Sequence, residues 1–214
     1  MYQPPHFREE HLEAQHALIR AHPFGLLVSL GPNGLLADPL PFVLDADASQ
    51  RGTLRGHLAR ANPHWRDLDG ARESLVVFQG VDHYITPSWY ETKRETGKVV
   101  PTWNYVMVQA YGTVRVIEDR DWLAGQITEL TRRNEARRAA PWAVTDAPAP
   151  FVESQIKGIV GLEIVISRLE GKWKLSQNRP ERDRQGVIEG LSAADDEASI
   201  EMAALVAAAA KSSD

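Results

Sequence analysis

Short strand-like runs joined by tight turns constrain this chain more than any other feature. Phe24 to Leu30 is a short apolar run, and Gly31-Pro32-Asn33-Gly34 behind it is a strong turn signal. Leu35 to Leu44 reads as the returning strand. Pro39 and Pro41 place it at an edge or a bulge, because proline has no N–H to give to a ladder. Asp45 to Gly52 is a polar turn and Thr53 to Leu58 a third strand. Ser74 to Gln79 is nearly all apolar and reads as a central strand. Tyr105 to Ile117 is the longest candidate. Ile159 to Leu169 alternates, then passes through a Glu170-Gly171 turn into Trp173 to Gln177. About six short strands of this kind, with no regular βαβ unit, predict a mainly β, α+β fold: a closed or partly open antiparallel barrel with helices between and outside the strands.

The helical signals are fewer. Phe7 to Ala21 carries Leu12, His16 and Ile19 at spacings of three and four. Asn62-Pro63 opens a short helix, with Asn62 as the cap and Pro63 at the first helical position. Asp119 to Arg138 is a clear helix that Asp119 or Asp121 can cap, and Ala139 to Pro150 is a connection. Residues after Ser192 read as an Ala-rich terminal helix capped by Ser192.

Composition excludes several chemistries. The 214 residues are enough to bury a core without staples, and the absence of cysteine removes disulfides, thiolate catalysis and Cys-based metal centres. The beginning of the chain has no basic flank followed by an apolar run, and no apolar stretch is long enough to span a bilayer, so a cytoplasmic location with no membrane partner is expected. A net charge of −5 disfavours sequence-independent DNA binding, which depends on phosphate neutralisation. Two basic clusters run against that balance. The first, Arg132, Arg133, Arg137 and Arg138, is interleaved with Glu129 and Glu135 and reads as a solvated helix face. The second is Lys172, Lys174, Arg179, Arg182 and Arg184. No serine sits in a Gly-framed elbow, and the histidines are not spaced for a protein-only metal site, so neither nucleophilic catalysis nor a metal is expected.

Anion binding is better supported. His83 to Tyr105 packs two Trp and three Tyr beside Lys93, Arg94 and Lys98, a set suited to something flat and anionic. A loop filling a core or a dimer interface accounts for the same aromatics. Leu54 to Pro63 ends a strand and opens a helix, where free N–H groups and an arginine suit a phosphate. Pairing of Arg55 and Arg60 with surface acids is the other reading. Ser176, Gln177 and Asn178 leave a strand with amides able to read ring carbonyls or ring nitrogens, or simply to cap the strand end.

Taken together, MYQPPHF, GHLARANPHW, YITPSWYETK, VPTWNY and KLSQNR, in this order and spacing, resemble the PaiB-type family of FMN-binding split-barrel proteins, from Met1 to about Leu191. The resemblance implies an antiparallel split β-barrel of the pyridoxamine-phosphate-oxidase kind over residues 1–191; the terminal Ala-rich helix over 192–214 adds nothing to it. It implies a homodimer with FMN in a groove at the subunit interface, and a role in transcriptional repression. Combined with the residue types, it puts Arg55, His57, Arg60 and Asn62 at the phosphate, with Lys93 and the backbone near Ser88. Trp89, Tyr90, Trp103 and Tyr105 then flank the isoalloxazine or line the dimer groove. Asn104, Ser176, Gln177 and Asn178 supply polar contacts to the ring or ribityl chain. A flavin-dependent oxidoreductase, a DNA-binding repressor and a haem-binding or haem-degrading protein are the competing functions; the charge disfavours the DNA partner.

Overall fold

The computed structural model describes residues 1–68 and 70–211. In chain order its elements are β1 (Arg8–Glu9), α1 (Leu12–Ala21), β2 (Phe24–Gly31), β3 (Gly34–Pro41), β4 (Val43–Asp45), β5 (Thr53–Ala59), β6 (Glu73–Ile85), α2 (Glu91–Thr96), β7 (Thr102–Ile117), α3 (Arg120–Glu135), α4 (Ala149–Lys157), β8 (Ile159–Val165), β9 (Arg168–Lys174), α5 (Glu181–Ser192) and α6 (Glu197–Lys211). They fall into two compact units. The first comprises Met1–His11, Gln79–Val108 and Glu170–Asp214; the second comprises Leu12–Phe78 and Gln109–Leu169. The two long strands, β6 and β7, each contribute residues to both.

In the second unit, β2 and β3 form the hairpin that the Gly-Pro-Asn-Gly run demands. Leu30 faces Leu35 and Gly31 faces Gly34. Gly34 has φ of 115°, a conformation closed to residues with a Cβ. Pro39 and Pro41 lie on β3, which among the described residues pairs with β2 alone and so loses no ladder bond to them. β5 pairs antiparallel with β4 on one side and β8 on the other, with His57 opposite Gly161. Leu27, Leu54, Val76, Phe78, Leu162 and Ile164 are buried between these strands and the helices. Phe42 and Phe78 meet edge to face there at 5.8 Å. Asp119 caps α3 by accepting the Trp122 N–H at 2.8 Å, and Asn62 caps the Pro63–Asp67 turn by accepting the His64 N–H.

In the first unit, β9 pairs with β1 and β7. Helices α5 and α6 bury Val187, Leu191, Met202 and Val206. Gly186 and Gly190, one turn apart on α5, let Trp89 press into the helix: a Cβ on Gly186 would lie 2.0 Å from the Trp89 carbonyl oxygen, and one on Gly190 2.3 Å from its ring.

Several expectations change. Residues 8–9 are a strand instead of the first helical turn, because Arg8 and Glu9 pair with Lys172 and Gly171. That same pairing puts Gly171 within β9, so the reversal before β9 comes earlier, at Ile166–Ser167, where Ser167 N–H bonds to the Tyr111 carbonyl. Ser192 ends α5 instead of opening the terminal helix, and Asp196 holds the start of α6 by accepting the Ser199 N–H. α2, α4 and α5 are helices beyond those predicted. The last three residues of the 192–214 segment lie outside the described residues.

Candidate functional site

Alternation along β7 and β9 builds one face of the first unit. Trp103 and Tyr105 project from β7 on the same side, and Lys172 and Lys174 do so from β9. The Lys172 ammonium lies 5.3 Å from the Tyr105 ring centre and 5.6 Å from that of Tyr2. Lys174 Nζ donates to Thr102 Oγ1 at 2.5 Å and to the Trp103 carbonyl, 5.9 Å from the Phe7 ring. The segment MYQPPHF is held along β9 by Gln3, whose Nε2 donates to the Gly171 carbonyl at 2.7 Å, and by the terminal ammonium on Glu170. Trp103 is 53% exposed and Tyr84, edge-on to it at 5.9 Å, is 44% exposed.

Among the described residues, no carboxylate forms an ion pair with Lys172, Lys174 or Arg179, although Lys172 is only 8% exposed. Cation–π attraction contributes roughly 0.5–2 kcal/mol, less than the several kcal/mol that desolvating an ion costs. Burial, then the neighbouring Lys172 and Arg179, hold the Lys174 ammonium below its ordinary pKa. A desolvated group of cations beside exposed aromatic rings is the donor set that a flat, phosphorylated ring requires.

Asn104 and Ser176 turn inward and satisfy each other. Asn104 Nδ2 donates to Ser176 Oγ at 3.0 Å, and the Ser176 hydroxyl faces Asn104 Oδ1 at 3.2 Å. Ser176 has φ of 65°, the strained left-handed region for a residue with a Cβ, so the chain is held sharply at the end of β9. Gln177 caps that end, accepting the Leu175 N–H and donating to the Trp173 carbonyl, each at 2.7 Å. Asn178 is exposed beyond it. Lys93 Nζ donates to Ser88 Oγ at 3.1 Å. Trp89 is packed on α5, and Tyr90 is buried beneath Arg179, 4.5 Å from its ring. Burial raises the Tyr90 phenol pKa against the pull of Arg179. Asp183, fully buried, accepts the Thr92 N–H at 2.9 Å, while its Oδ2, Tyr90 Oη and Thr92 Oγ1 have no hydrogen-bond partner among the described residues.

The four residues read as a phosphate site, Arg55, His57, Arg60 and Asn62, lie in the second unit, and each already has a protein partner. Arg55 pairs with Asp45 at 3.0 Å and Glu163 at 3.1 Å. Arg60 donates to Glu118 at 2.5 Å and to the Lys157 and Ile159 carbonyls. His57 Nδ1 donates to Gln126 Oε1 at 2.8 Å, and Asn62 is spent as a cap. Arg55, Trp122 and Gln126 line a cavity of about 290 Å³ there. The first basic cluster is likewise matched: Glu129 accepts from Arg132 and Arg133, and Glu135 from Arg138.

Sequence reading missed two groupings. Lys172 and Lys174 stood only as part of a basic cluster; their two-residue spacing on a strand, with no acid between them, was the available signal. Nothing in the sequence signalled the chain Ser29–His64–Asp38, in which Ser29 Oγ donates to His64 Nε2 at 2.7 Å and His64 Nδ1 to Asp38 Oδ2 at 2.6 Å. Ser29 is buried in mid-strand, and the cavity it lines is about 10 Å³, without room for a substrate. The chain ties β2, β3 and the Pro63–Asp67 turn together.

The family model described as "Putative FMN-binding domain" matches residues 1–168. An uncharacterized protein of Emericella nidulans is 40% identical, over 87% of this chain and 90% of its own. Protease synthase and sporulation protein PAI 2 of Bacillus subtilis is 34% identical, over 89% of each. Among solved structures, the FAD and heme binding protein of Mycobacterium smegmatis superimposes with a TM-score of 0.59 at 18% identity, covering 78% of this chain and 73% of that one, a likeness of fold. The chain therefore belongs to the PaiB-type family of FMN-binding proteins: its fold is the antiparallel split β-barrel, and its cofactor is FMN.

Proposed function

We propose that this protein is an FMN-binding homodimer in which the isoalloxazine rests against the exposed Trp103–Tyr84 face of the first unit. The observation that carries the reading is the group of cations with no ion pair among the described residues, beside open aromatic rings on that face. Bound FMN would supply hydride or electron transfer. The chain's own residues bind and orient. Trp103 and Tyr84 give stacking surface, and Asn104 with Ser176 fixes the strand ends beneath it. Asn178, exposed at the turn, can reach a ring edge, while Ser88, Lys93, Trp89, Tyr90 and Gln177 hold the flanking segments. Arg55, His57, Arg60 and Asn62, already partnered, brace the second unit.

The homodimer draws support from β2 and β3, where Phe24, Leu26, Leu30 and Leu35 are exposed together. The role in transcriptional repression follows from the family resemblance, with flavin as the group sensed or used. Direct DNA contact through the first basic cluster is disfavoured, because its arginines are matched by glutamates. No described helix is long and apolar enough to cross a membrane.

The test is the absorbance spectrum after FMN addition and desalting, with light scattering on the same sample. Flavin bands at about one per subunit in a particle of twice the chain mass support the reading. A colourless protein that refuses FMN overturns the cofactor assignment. A monomer that keeps FMN overturns the dimer alone. Promoter-fragment mobility shifts with and without FMN test the regulatory part, which fails if flavin changes nothing.

A further inference from the structure

We propose that His83 is a proton-operated latch for the last helix: charged, it closes α6 onto β6 through Ser199 and Asp196, and neutral, it releases the first turn. His83 Nδ1 lies 2.6 Å from the Tyr84 carbonyl oxygen, which can only accept, so Nδ1 must carry a proton. Ser199, fully buried, donates from its Oγ to Asp196 Oδ2 at 2.6 Å, and a hydroxyl has one proton to give. His83 Nε2 lies 3.0 Å from the same hydroxyl oxygen, so it must donate as well. All three bonds are made together only by an imidazolium. A neutral ring takes the Ser199 proton on Nε2, which leaves two bare oxygens 2.6 Å apart. That contact is repulsive. It falls where Asp196 also accepts the Ser199 N–H at 2.9 Å to start the helix.

The groups facing His83 suit a switch. Asp196 is the charged group that α6 presents to the ring. Hydrogen bonds from Ser199, opposed by burial and helped by the charge of His83, hold the Asp196 carboxyl below its ordinary range. It therefore stays a carboxylate while the imidazole changes charge. The Pro87–Trp89 turn presents the neutral Trp89 indole, 6.1 Å away. On β6 itself, Asp82 accepts from Gln79. Imidazole changes charge between about pH 5 and about pH 8. The stabilisation is present at the acid end of that range and is lost as pH rises through it. All of these residues belong to the first unit. α6 packs on α5, whose Gly186 and Gly190 seat Trp89, so the latch also governs how firmly that seat is closed.

Hydrogen exchange of the full chain tests the latch, at about pH 5.5 and about pH 8, with each rate corrected for its intrinsic pH dependence. Protection of α6 (Glu197–Lys211) should fall about tenfold or more at the higher pH, the contribution of one charge-assisted hydrogen bond. His83→Gln and Ser199→Ala should each show the low protection at both pH values. His11→Gln, which removes an exposed imidazole of the same unit, should keep the parent's response. Ring-nitrogen NMR of the parent needs no variant. Both His83 nitrogens should carry protons at the lower pH, and loss of one should shift the Ser199 amide in step. A parent whose α6 protection is the same at both pH values overturns the latch. So does a response that persists in His83→Gln, or a His83 ring that titrates without moving the Ser199 amide.

Discussion

Arg55 on β5 and Lys172 on β9 look alike in the sequence: each is a cation on a short strand with another basic residue nearby. Their surroundings differ completely. Arg55 is held between Asp45 and Glu163, and Glu163 also accepts from Arg115 at 2.5 Å. Lys172 has rings around it and no carboxylate among the described residues. Arg55 belongs to a closed electrostatic network that supports the fold. Lys172 is charge left open, and open buried charge is disfavoured unless something external completes it. Local spacing shows where cations are; acids distant in sequence decide which ones are available.

The comparison can be broken in several ways. The largest effect is expected from Gly186→Ala, whose Cβ would meet the Trp89 carbonyl at 2.0 Å. Urea unfolding should show a loss of about 2–3 kcal/mol, because backbone must move. Flavin binding should weaken with it, as α5 and the Ser88–Tyr90 turn shift. An unaltered midpoint would mean that α5 does not support this face.

Next is Glu163→Gln in the second unit. It weakens two arginine contacts of a carboxylate whose side chain is 13% exposed, so a loss of about 1–3 kcal/mol is expected, with little change in flavin affinity. A large loss of flavin affinity would place the flavin phosphate at β5.

Lys172→Met sharpens the contrast through its sign. Removing a matched cation should destabilise, whereas removing an unmatched one should leave the flavin-free protein unchanged or up to about 1 kcal/mol more stable. A clear fall in Tm without ligand would show that Lys172 is a structural cation.

The smallest effect is in acid. Hydrogen bonds from Arg132, opposed by burial and helped by Arg133, lower the Glu129 pKa to about 2. A carboxylate whose folded pKa is depressed stabilises above its ordinary range, and that contribution disappears as pH falls from about 4.5 to about 2. Glu129→Gln should flatten the thermal-melt slope in that window. Because the pair is on a solvated helix face, high salt should flatten it as well. A slope indifferent to both would mean that Glu129 is not coupled to its arginines.

Much of the fold was legible in residues acting over short range. The β2–β3 hairpin follows from Gly31 to Gly34, the α3 cap from Asp119, and the turn after β5 from Asn62-Pro63. Elements that depend on distant partners were not legible. Arg8 and Glu9 continue no helix because β9 offers them a ladder, and Ser192 caps nothing because α5 already runs through it. The candidate site divides in the same way. Aromatic rings and basic residues in the right segments could be named, as could the strand-end role open to Gln177. That Asn104 and Ser176 satisfy each other across 72 positions could not.

The sequence by itself determined the turn chemistry, the strand periodicity, the family and therefore the cofactor. Each of these is a property of neighbouring residues or of motifs in order. The tertiary structure alone decided which charges are matched, since Glu163 meets Arg55 across 108 positions while the Lys172 ammonium, among the described residues, has the Tyr2 and Tyr105 rings and no paired carboxylate. Electrostatic energy depends on distance in space and on burial, and neither is encoded by proximity along the chain.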